Sequence, residues 1–324
     1  MHSIPLTTMR YVFWADASPL IGSGHVMRSS AIAEEMIRRG LEVVSIGAIT
    51  GLPWVSNRIE NLGYSKVVLN PTEFDSNPKN DILIIDSYEL PVDHEILAKS
   101  NWHKTISIVD EQTPYYGCDL AIHPGLSIDW MKKSDTKILS GPMYIPFRSS
   151  IKATYSESLK SELDIIVVGG GTNTNNFVGA LANVLSQSKL NFAVYLFMSK
   201  DLPTKLDERF TAVPIGPRLD EIANFANLVF STASTTSLEF IARNIPTGIG
   251  CSINNQESYY DTLTAYEVAV PIGRFENSSW GFNLDAIQNL LASKELRMKL
   301  TKNCKNLIDL DGAKRIVNEI LLLN

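Results

Sequence analysis

The chain has 324 residues, of which 44% are hydrophobic, and its 29 basic and 35 acidic side chains give a formal net charge of -6. The length allows two domains with full cores, and the acidic balance without a basic block argues against a nucleic-acid partner. No apolar stretch approaches the ~18 residues of a membrane helix, so no membrane span is expected.

The cysteines and the first residues of the chain indicate the cellular compartment of the protein. Three cysteines lie far apart and form no CxxC pair, which favours a reducing environment and gives no support to a zinc site. The first eight residues lack the basic start and apolar core of a signal peptide. We therefore expect a cytoplasmic protein.

Short apolar runs alternate with amphipathic segments along the chain. The runs predict strands at residues 11–13, 42–46, 82–85, 106–109, 165–168, 192–197, 228–230 and 247–249. The segments between them predict helices, among them 29–39, 177–187 and 237–242. This alternation is typical of βαβ units with parallel sheets covered on both faces. The pattern restarts near residue 164, after a polar stretch at 149–161, and predicts two doubly wound, Rossmann-like α/β domains over 9–148 and 160–324.

Ligands of doubly wound sheets bind beyond the carboxyl ends of the strands, so the polar residues there are candidates. Gly22, Gly24 and His25 follow the first strand, where glycines allow a ligand close to the backbone and helix amides face an anion. This turn is not a dinucleotide fingerprint, because Met27 stands at its sixth position. We expect the strand ends of the two domains to line a shared cleft.

A second glycine-rich turn opens the second domain. Gly169, Gly170, Gly171 and Thr172 follow its first strand, where backbone amides could cradle a phosphate. A tight turn without a ligand is the alternative, and neither turn contains the Gly-Lys-Ser/Thr of a P-loop. Two such turns in one chain favour a nucleotide-linked substrate.

His25 is the first candidate for catalysis, because an imidazole on such a turn can meet a ligand's phosphate or anomeric carbon. Capping of the following helix is the alternative. Asp16 either orients His25 or satisfies turn amides. Aspartates in such positions fix loops more often than they take part in chemistry, and we expect the same of Asp86 and Asp110. The sequence shows no convincing metal cluster.

The pattern Asp16-x4-Ile21-Gly22-x-Gly24-His25-x2-Arg28 resembles the signature of the UDP-2,4-diacetamido-2,4,6-trideoxy-β-L-altropyranose hydrolases of pseudaminic acid biosynthesis and their spore-coat polysaccharide relatives. The resemblance covers about residues 10–270. It continues through Ile84-Ile85-Asp86-Ser87-Tyr88, Val109-Asp110-Glu111, Gly141-x2-Tyr144-x3-Arg148, Gly170-Gly171-Thr172, Ser231-x7-Glu239 and Asn255-Gln256-Glu257-Ser258. It implies the GT-B fold, with two Rossmann-like domains facing a central cleft.

The resemblance also implies roles for individual residues. His25 would be the catalytic residue, and Tyr88 would lie near the sugar. We take His25, Asp16 and Tyr88 together as the candidate catalytic residues. The second domain would hold UDP, with Glu239 on the ribose hydroxyls. Without the resemblance, Glu239 and the preceding hydroxyls could simply cap a helix. The full set of expected substrate contacts is Gly22, Gly24, Arg28, Gly170, Gly171, Thr172, Ser234, Thr235, Glu239, Asn255, Gln256 and Glu257.

The expected activity is hydrolysis of a UDP-linked 2,4-diacetamido-trideoxy sugar to UDP and the free sugar, for nonulosonic (pseudaminic) acid biosynthesis. It would proceed with inversion and sugar C–O cleavage, and with His25 as general base. No cofactor or metal is expected, and a monomer is favoured.

Four positions depart from the family pattern, namely Trp14, Ser29, His123 and Asn173, and Ser29 stands where the family frequently has cysteine. They keep open a GT-B glycosyltransferase that uses a UDP-sugar or a CMP-nonulosonate for surface glycan synthesis. A non-catalytic sugar-nucleotide sensor is a third hypothesis, but it would have no use for His25.

Overall fold

The computed structural model describes residues 9–69, 73–88, 98–110, 117–127, 136–153, 162–171, 173–198, 206–216 and 218–323. They divide into two compact units. The first consists of Met1–Ser149 with Asp311–Asn324, and the second of Ser150–Leu310. No helix in the described ranges is long and apolar enough to cross a membrane.

Fourteen strands occur in the described residues, and each of the eight strands predicted from the sequence overlaps one of them. Short strands and a hairpin at the sheet edges were not predicted. In chain order the strands are β1 (Arg10–Ala15), β2 (Glu42–Ile46), β3 (Lys66–Val68), β4 (Asp81–Asp86), β5 (Lys104–Ile108), β6 (Leu120–Ile122), β7 (Lys137–Leu139), β8 (Leu163–Val168), β9 (Phe192–Phe197), β10 (Phe210–Val213), β11 (Leu228–Thr232), β12 (Thr247–Cys251), β13 (Val270–Glu276) and β14 (Ser279–Phe282).

The α-helices of the described residues fall between these strands, as the alternating pattern predicts, and at the end of the chain. They are α1 (Gly24–Arg38), α2 (Pro53–Asn61), α3 (Phe177–Ser186), α4 (Arg218–Ala223), α5 (Thr235–Ala242), α6 (Glu257–Ala265), α7 (Leu284–Ala292), α8 (Lys294–Leu307) and α9 (Gly312–Leu321).

The first unit is built on a sheet with the strand order β3-β2-β1-β4-β5-β6-β7, in which neighbouring strands are parallel. Successive side chains of a strand point to opposite faces, and both faces are buried here. On β1, Tyr11 and Phe13 pack with Met36 of α1, whereas Val12 and Trp14 belong to a separate cluster on the other face. Continuous apolar strands follow from this burial on both sides.

The strand order of the first sheet reverses between β1 and β4, because the chain runs to β2 and β3 on one side and to β5 on the other. Such a reversal opens a crevice at the carboxyl ends of the two strands. Ala15 at the end of β1 pairs with Asp86 at the end of β4. The residues just beyond this pair therefore form the candidate site of the first unit.

The second unit repeats the plan with the order β10-β9-β8-β11-β12-β13-β14. Its strands are parallel except for the antiparallel pair of β13 and β14. The order reverses between β8 and β11, where Val168 pairs with Ser231. Phe177 of α3 and Phe230 of β11 lie in the core on one face of this sheet.

The last helix lies elsewhere than the predicted division places it. The predicted second domain, 160–324, includes residues 311–324, whereas α9 belongs to the first unit. Ile316 and Ile320 pack in the first unit's core. Gly312 lies so close to Ile145 that a Cβ on it would come within 2.0 Å of the Ile145 carbonyl oxygen. The apolar face of a terminal helix does not reveal which sheet it covers.

Candidate active site

Helix α1 begins at Gly24, earlier than predicted, so His25 lies in its first turn rather than before it. The approach to the helix is a closed loop. Gly22 has a φ of 87°, a conformation that costs a glycine little, and its N–H donates to the carbonyl of Ser18 over 2.7 Å. Sequence and structure therefore agree that the glycines shape the turn that presents His25.

His25 and Arg28 share one face of α1, because residues three apart in a helix are neighbours. Both side chains contact Asp86 at the end of β4. His25 Nδ1 lies 2.6 Å from Asp86 Oδ1, and Arg28 donates from Nε to Oδ2 over 2.6 Å and from Nη2 to Oδ1 over 2.5 Å. His25 is 5% exposed and Asp86 is fully buried. Arg28 therefore holds Asp86 in a bidentate ion pair, in which Asp86 Oδ1 faces the imidazole of His25.

Asp86 is ionised despite its burial. Burial alone would raise its pKa, but the charge and hydrogen bonds of Arg28 and the contact with His25 lower that pKa to about 2. A carboxylate only accepts hydrogen bonds, so the proton of the short contact belongs to His25 Nδ1. When Nδ1 carries the only ring proton, the lone pair lies on Nε2, which has no hydrogen bond to any described residue.

Tyr88 and Asp110 extend the cluster. Arg28 Nη1 donates to Asp110 Oδ2 over 3.2 Å, and the Tyr88 hydroxyl donates to the same oxygen over 2.6 Å. Burial and the Asp110 carboxylate raise the pKa of Tyr88, so its hydroxyl stays protonated and acts as a donor. The edge of its ring meets the His25 ring with centroids 4.2 Å apart. Tyr88 therefore lies beside His25 and restrains its ring.

The structure separates Asp16 from His25. Asp16 Oδ1 accepts from the Ala48 amide over 2.8 Å, and Oδ2 accepts from the Ser87 hydroxyl over 2.8 Å. Asp16 thus satisfies loop donors, the second of the two predicted alternatives, and Asp86 takes the place beside His25. Asp86 directly follows the predicted strand 82–85, and that position is the sequence signal that could have identified it.

Arg28 also differs from its predicted role as a substrate contact. Its Nε, Nη1 and Nη2 atoms all donate to Asp86 or Asp110, and the side chain is only 8% exposed. Burial opposes its charge, but the two carboxylates raise its pKa well above the usual value. Arg28 is therefore a buried partner of the carboxylates.

In the second unit, the turn after β8 has an unusual backbone. Gly170 has a φ of 76°, and Asn173, Asn175 and Asn176 have φ values of 49°, 54° and 50°. Asparagine tolerates this region better than other side chains. Asn173 Oδ1 accepts from the Val178 amide over 3.0 Å and so holds the start of α3. Gly171 lies in this turn, whereas Thr172 lies outside the described residues.

The end of β11 lies beside this turn. A Cβ on Gly170 would be 3.6 Å from Thr232 Oγ1 and 3.9 Å from Ser234 Oγ. Ser234 directly precedes α5, whose first residue is Thr235. The backbone amide of Ser234 donates to Ser237 Oγ over 3.1 Å. Ser237, not Glu239, therefore takes part in the cap. Glu239 lies two residues beyond Ser237 in α5 and is half-buried.

The end of β12 adds a third loop. Gln256 Oε1 accepts from the Ser252 amide over 2.8 Å, and Asn175 Nδ2 donates to the Ser252 carbonyl over 2.8 Å. Gln256 thus supports the turns and is not directed outwards, whereas Glu257 is exposed. Asn255 lies in the short helix Asn254–Gln256, but its side chain is outside the described part.

The described residues contain no group of three or more His, Cys, Asp or Glu side chains arranged to hold a metal ion.

Comparison with solved structures defines the class of fold. The glycosyltransferase of kitacinnamycin superimposes with a TM-score of 0.65 at 12% identity, over 98% of this chain and 99% of that one. An S. aureus MnaA–UDP co-structure gives a TM-score of 0.61 at 14% identity, over 98% of both chains. The protein has the GT-B fold that the sequence predicts.

Comparison of sequences gives a nearer relative. The chain is 24% identical over 290 residues to the UDP-2,4-diacetamido-2,4,6-trideoxy-beta-L-altropyranose hydrolase of Campylobacter jejuni subsp. jejuni serotype O:2 (strain ATCC 700819 / NCTC 11168). The alignment covers 80% of this chain and 98% of the relative. No family model matches the chain. The comparison confirms the resemblance that the motifs indicate.

Proposed function

We propose that this protein is an enzyme that hydrolyses a UDP-linked 2,4-diacetamido-2,4,6-trideoxy sugar to UDP and the free sugar, for nonulosonic acid synthesis. The observation that carries the proposal is the buried pair of His25 and Asp86 at the strand reversal of the first sheet. The similarity to the Campylobacter hydrolase supports the substrate class.

The chemistry follows from the tautomer of His25. Nε2 accepts a proton from water as the water oxygen attacks the anomeric carbon, the sugar C–O bond breaks, and UDP leaves with the bridging oxygen. Attack opposite to the leaving group inverts the anomeric centre. Asp86 holds the ring by its Nδ1–H and stabilises the imidazolium that forms. A general base of this kind contributes about 10²–10⁴-fold, roughly 3–5 kcal/mol.

Within the second unit, we assign the nucleotide to the strand reversal between β8 and β11. Gly170 leaves space in front of the hydroxyls of Thr232 and Ser234, and the N-terminus of α5 begins there. Backbone amides and a helix N-terminus favour an anion without a buried positive charge. Glu239 is assigned to the ribose hydroxyls on the resemblance to the hydrolase family.

The test is hydrolysis of the UDP-sugar in ¹⁸O-labelled water with no acceptor present. We expect the label on the anomeric hydroxyl of the sugar and none in UDP, because the base activates water for attack on carbon. Label in UDP would place the attack at phosphorus and overturn the role of His25. Incubation of the unlabelled free sugar and of UDP in the same ¹⁸O-labelled water, without enzyme, controls for exchange of the sugar's anomeric oxygen with solvent.

The alternative activity is sugar transfer, which is the activity named in several structural relatives. The same assay distinguishes the two, because a transferase would leave the UDP-sugar intact until a glycan acceptor is added. A larger stabilisation by CMP than by UDP would also favour transfer, from a CMP-nonulosonate. Binding of UDP without turnover under either condition would indicate a sensor.

A further inference from the structure

Asp86 has a third partner besides His25 and Arg28. The Ser29 hydroxyl donates to Asp86 Oδ2 over 3.1 Å, and Ser29 is 3% exposed. Ser29 is four residues beyond His25 and adjacent to Arg28, so the three side chains share one face of α1. A helical serine commonly bonds a carbonyl of its own helix, but this one bonds the carboxylate.

The donors divide evenly between the two carboxylate oxygens. Oδ1 accepts from His25 Nδ1 and Arg28 Nη2, and Oδ2 accepts from Arg28 Nε and Ser29 Oγ. The two parallel bonds from Arg28 fix the plane of the carboxylate. The Ser29 hydroxyl adds a further donor on Oδ2, the oxygen that does not face the imidazole.

We propose that Ser29 is a positioning residue of the active site, whose hydroxyl keeps Asp86 Oδ1 in line with the Nδ1–H of His25. Only the kinetic part of its test rests on the proposed hydrolase function. Ser29 does not reach the reacting atoms, so it acts through Asp86. Loss of its hydroxyl therefore slows the chemical step and leaves substrate binding unchanged.

The experiment compares Ser29→Ala and Ser29→Cys with the wild-type protein. A thiol is a weak donor of similar size, so it retains part of the interaction. We expect kcat to fall by about tenfold in Ser29→Ala and by less in Ser29→Cys, with KM unchanged. The downfield proton resonance of the His25 Nδ1–H, assigned by its loss in His25→Asn, should weaken or move in the same order.

Ser30 provides the matched control. It is the next residue of α1 and is fully buried, but its hydroxyl donates to the Met27 carbonyl over 2.9 Å. Ser30→Ala should match the wild-type protein in kcat and in the His25 resonance. Equal losses in Ser30→Ala and Ser29→Ala would reduce Ser29 to a structural role and overturn the proposal.

Two further outcomes are decisive. A Ser29→Ala variant with kcat within about twofold of wild type and an unchanged His25 resonance would show that the hydroxyl does not position Asp86. If the wild-type protein hydrolyses no UDP-sugar, the proposed function fails. The resonance in the same variants then still decides the role of Ser29, because it requires no turnover.

Discussion

The sheets of the two units reverse their strand order in the same way, but the residues at the two reversals differ in chemistry. At the reversal of the first sheet, His25, Arg28, Asp86 and Asp110 form a buried, charged cluster. The described turns at the reversal of the second sheet carry glycine, asparagine, serine and threonine instead. We call the carboxyl ends of the strands at these two reversals the first edge and the second edge. The first edge holds a titratable group, and the second edge presents backbone dipoles and hydroxyls.

The difference follows from what each edge is proposed to do. A general base must hold one tautomer and one orientation, and a buried ion pair supplies both at the cost of desolvation. A diphosphate brings its own charge, so amides that already point outwards bind it without reorganisation. The proposed roles therefore account for the concentration of charged side chains at the first reversal and for the uncharged turns at the second.

The largest expected effect concerns His25. His25→Asn retains a polar side chain but has no basic nitrogen, so we expect kcat to fall by about 10²–10⁴-fold, roughly 3–5 kcal/mol. UDP affinity, measured by calorimetry, should stay within a few fold, because the nucleotide is assigned to the other unit. A variant that keeps more than about a tenth of the wild-type rate would exclude His25 as the base.

Arg28 tests whether the charge of the first edge is structural. Arg28→Met leaves Asp86 buried without its main counter-charge, so we expect the free energy of unfolding to fall by about 3–5 kcal/mol in denaturant titrations. Arg38→Met is the control, because Arg38 pairs with Glu35 on the same helix but is largely exposed. It should change stability little. Equal effects of the two substitutions would contradict a buried network.

Acid sensitivity gives a third test of the first edge. The pKa of Asp86 is lowered to about 2, below the ordinary value of 3.8, so the carboxylate stabilises the fold above about pH 4. That contribution, about 2 kcal/mol, is lost as pH falls from about 4 to about 2. The stability difference between wild type and Asp86→Asn, measured by unfolding at several pH values, should narrow over this window. A constant difference would mean that Asp86 is not held ionised.

Much of the fold was predictable, because buried parallel strands have apolar runs that alternate with helices. Three of the missed strands, β3, β6 and β7, are three residues long, which is too short for a periodic signal. The packing of α9 on the first unit depends on tertiary contacts of its apolar face, which its sequence position does not indicate.

The candidate site was predictable only in part. The glycines around His25 mark its turn through local backbone requirements. For the partner of His25 the sequence offers Asp16, nine residues away, with capping of turn amides as the alternative for that carboxylate. The contact in the structure instead joins residues 61 apart and depends on β1 lying next to β4. Likewise, a motif does not show whether a guanidinium is buried. The sequence therefore predicts a substrate contact at Arg28 and does not indicate its burial against the carboxylates. Long-range pairing is the information that a single sequence lacks.

The smallest expected effect concerns the second edge, where Glu239 is assigned to the ribose. Glu239→Ala should weaken UDP binding by about 1–2 kcal/mol, since the ribose hydroxyls lose their acceptor, whereas Glu239→Gln retains a carbonyl oxygen and should lose less. Thermal shifts with UDP check this, because a ligand that binds only the folded state raises its stability. The wild-type shift should persist in EDTA, and its disappearance would reveal a metal requirement.

An unchanged shift in Glu239→Ala would remove Glu239 from the nucleotide site and leave binding to the turns around Gly170. If Glu239→Ala instead lowered kcat and left UDP affinity intact, catalytic chemistry would extend to the second edge, and the division between the two edges would fail.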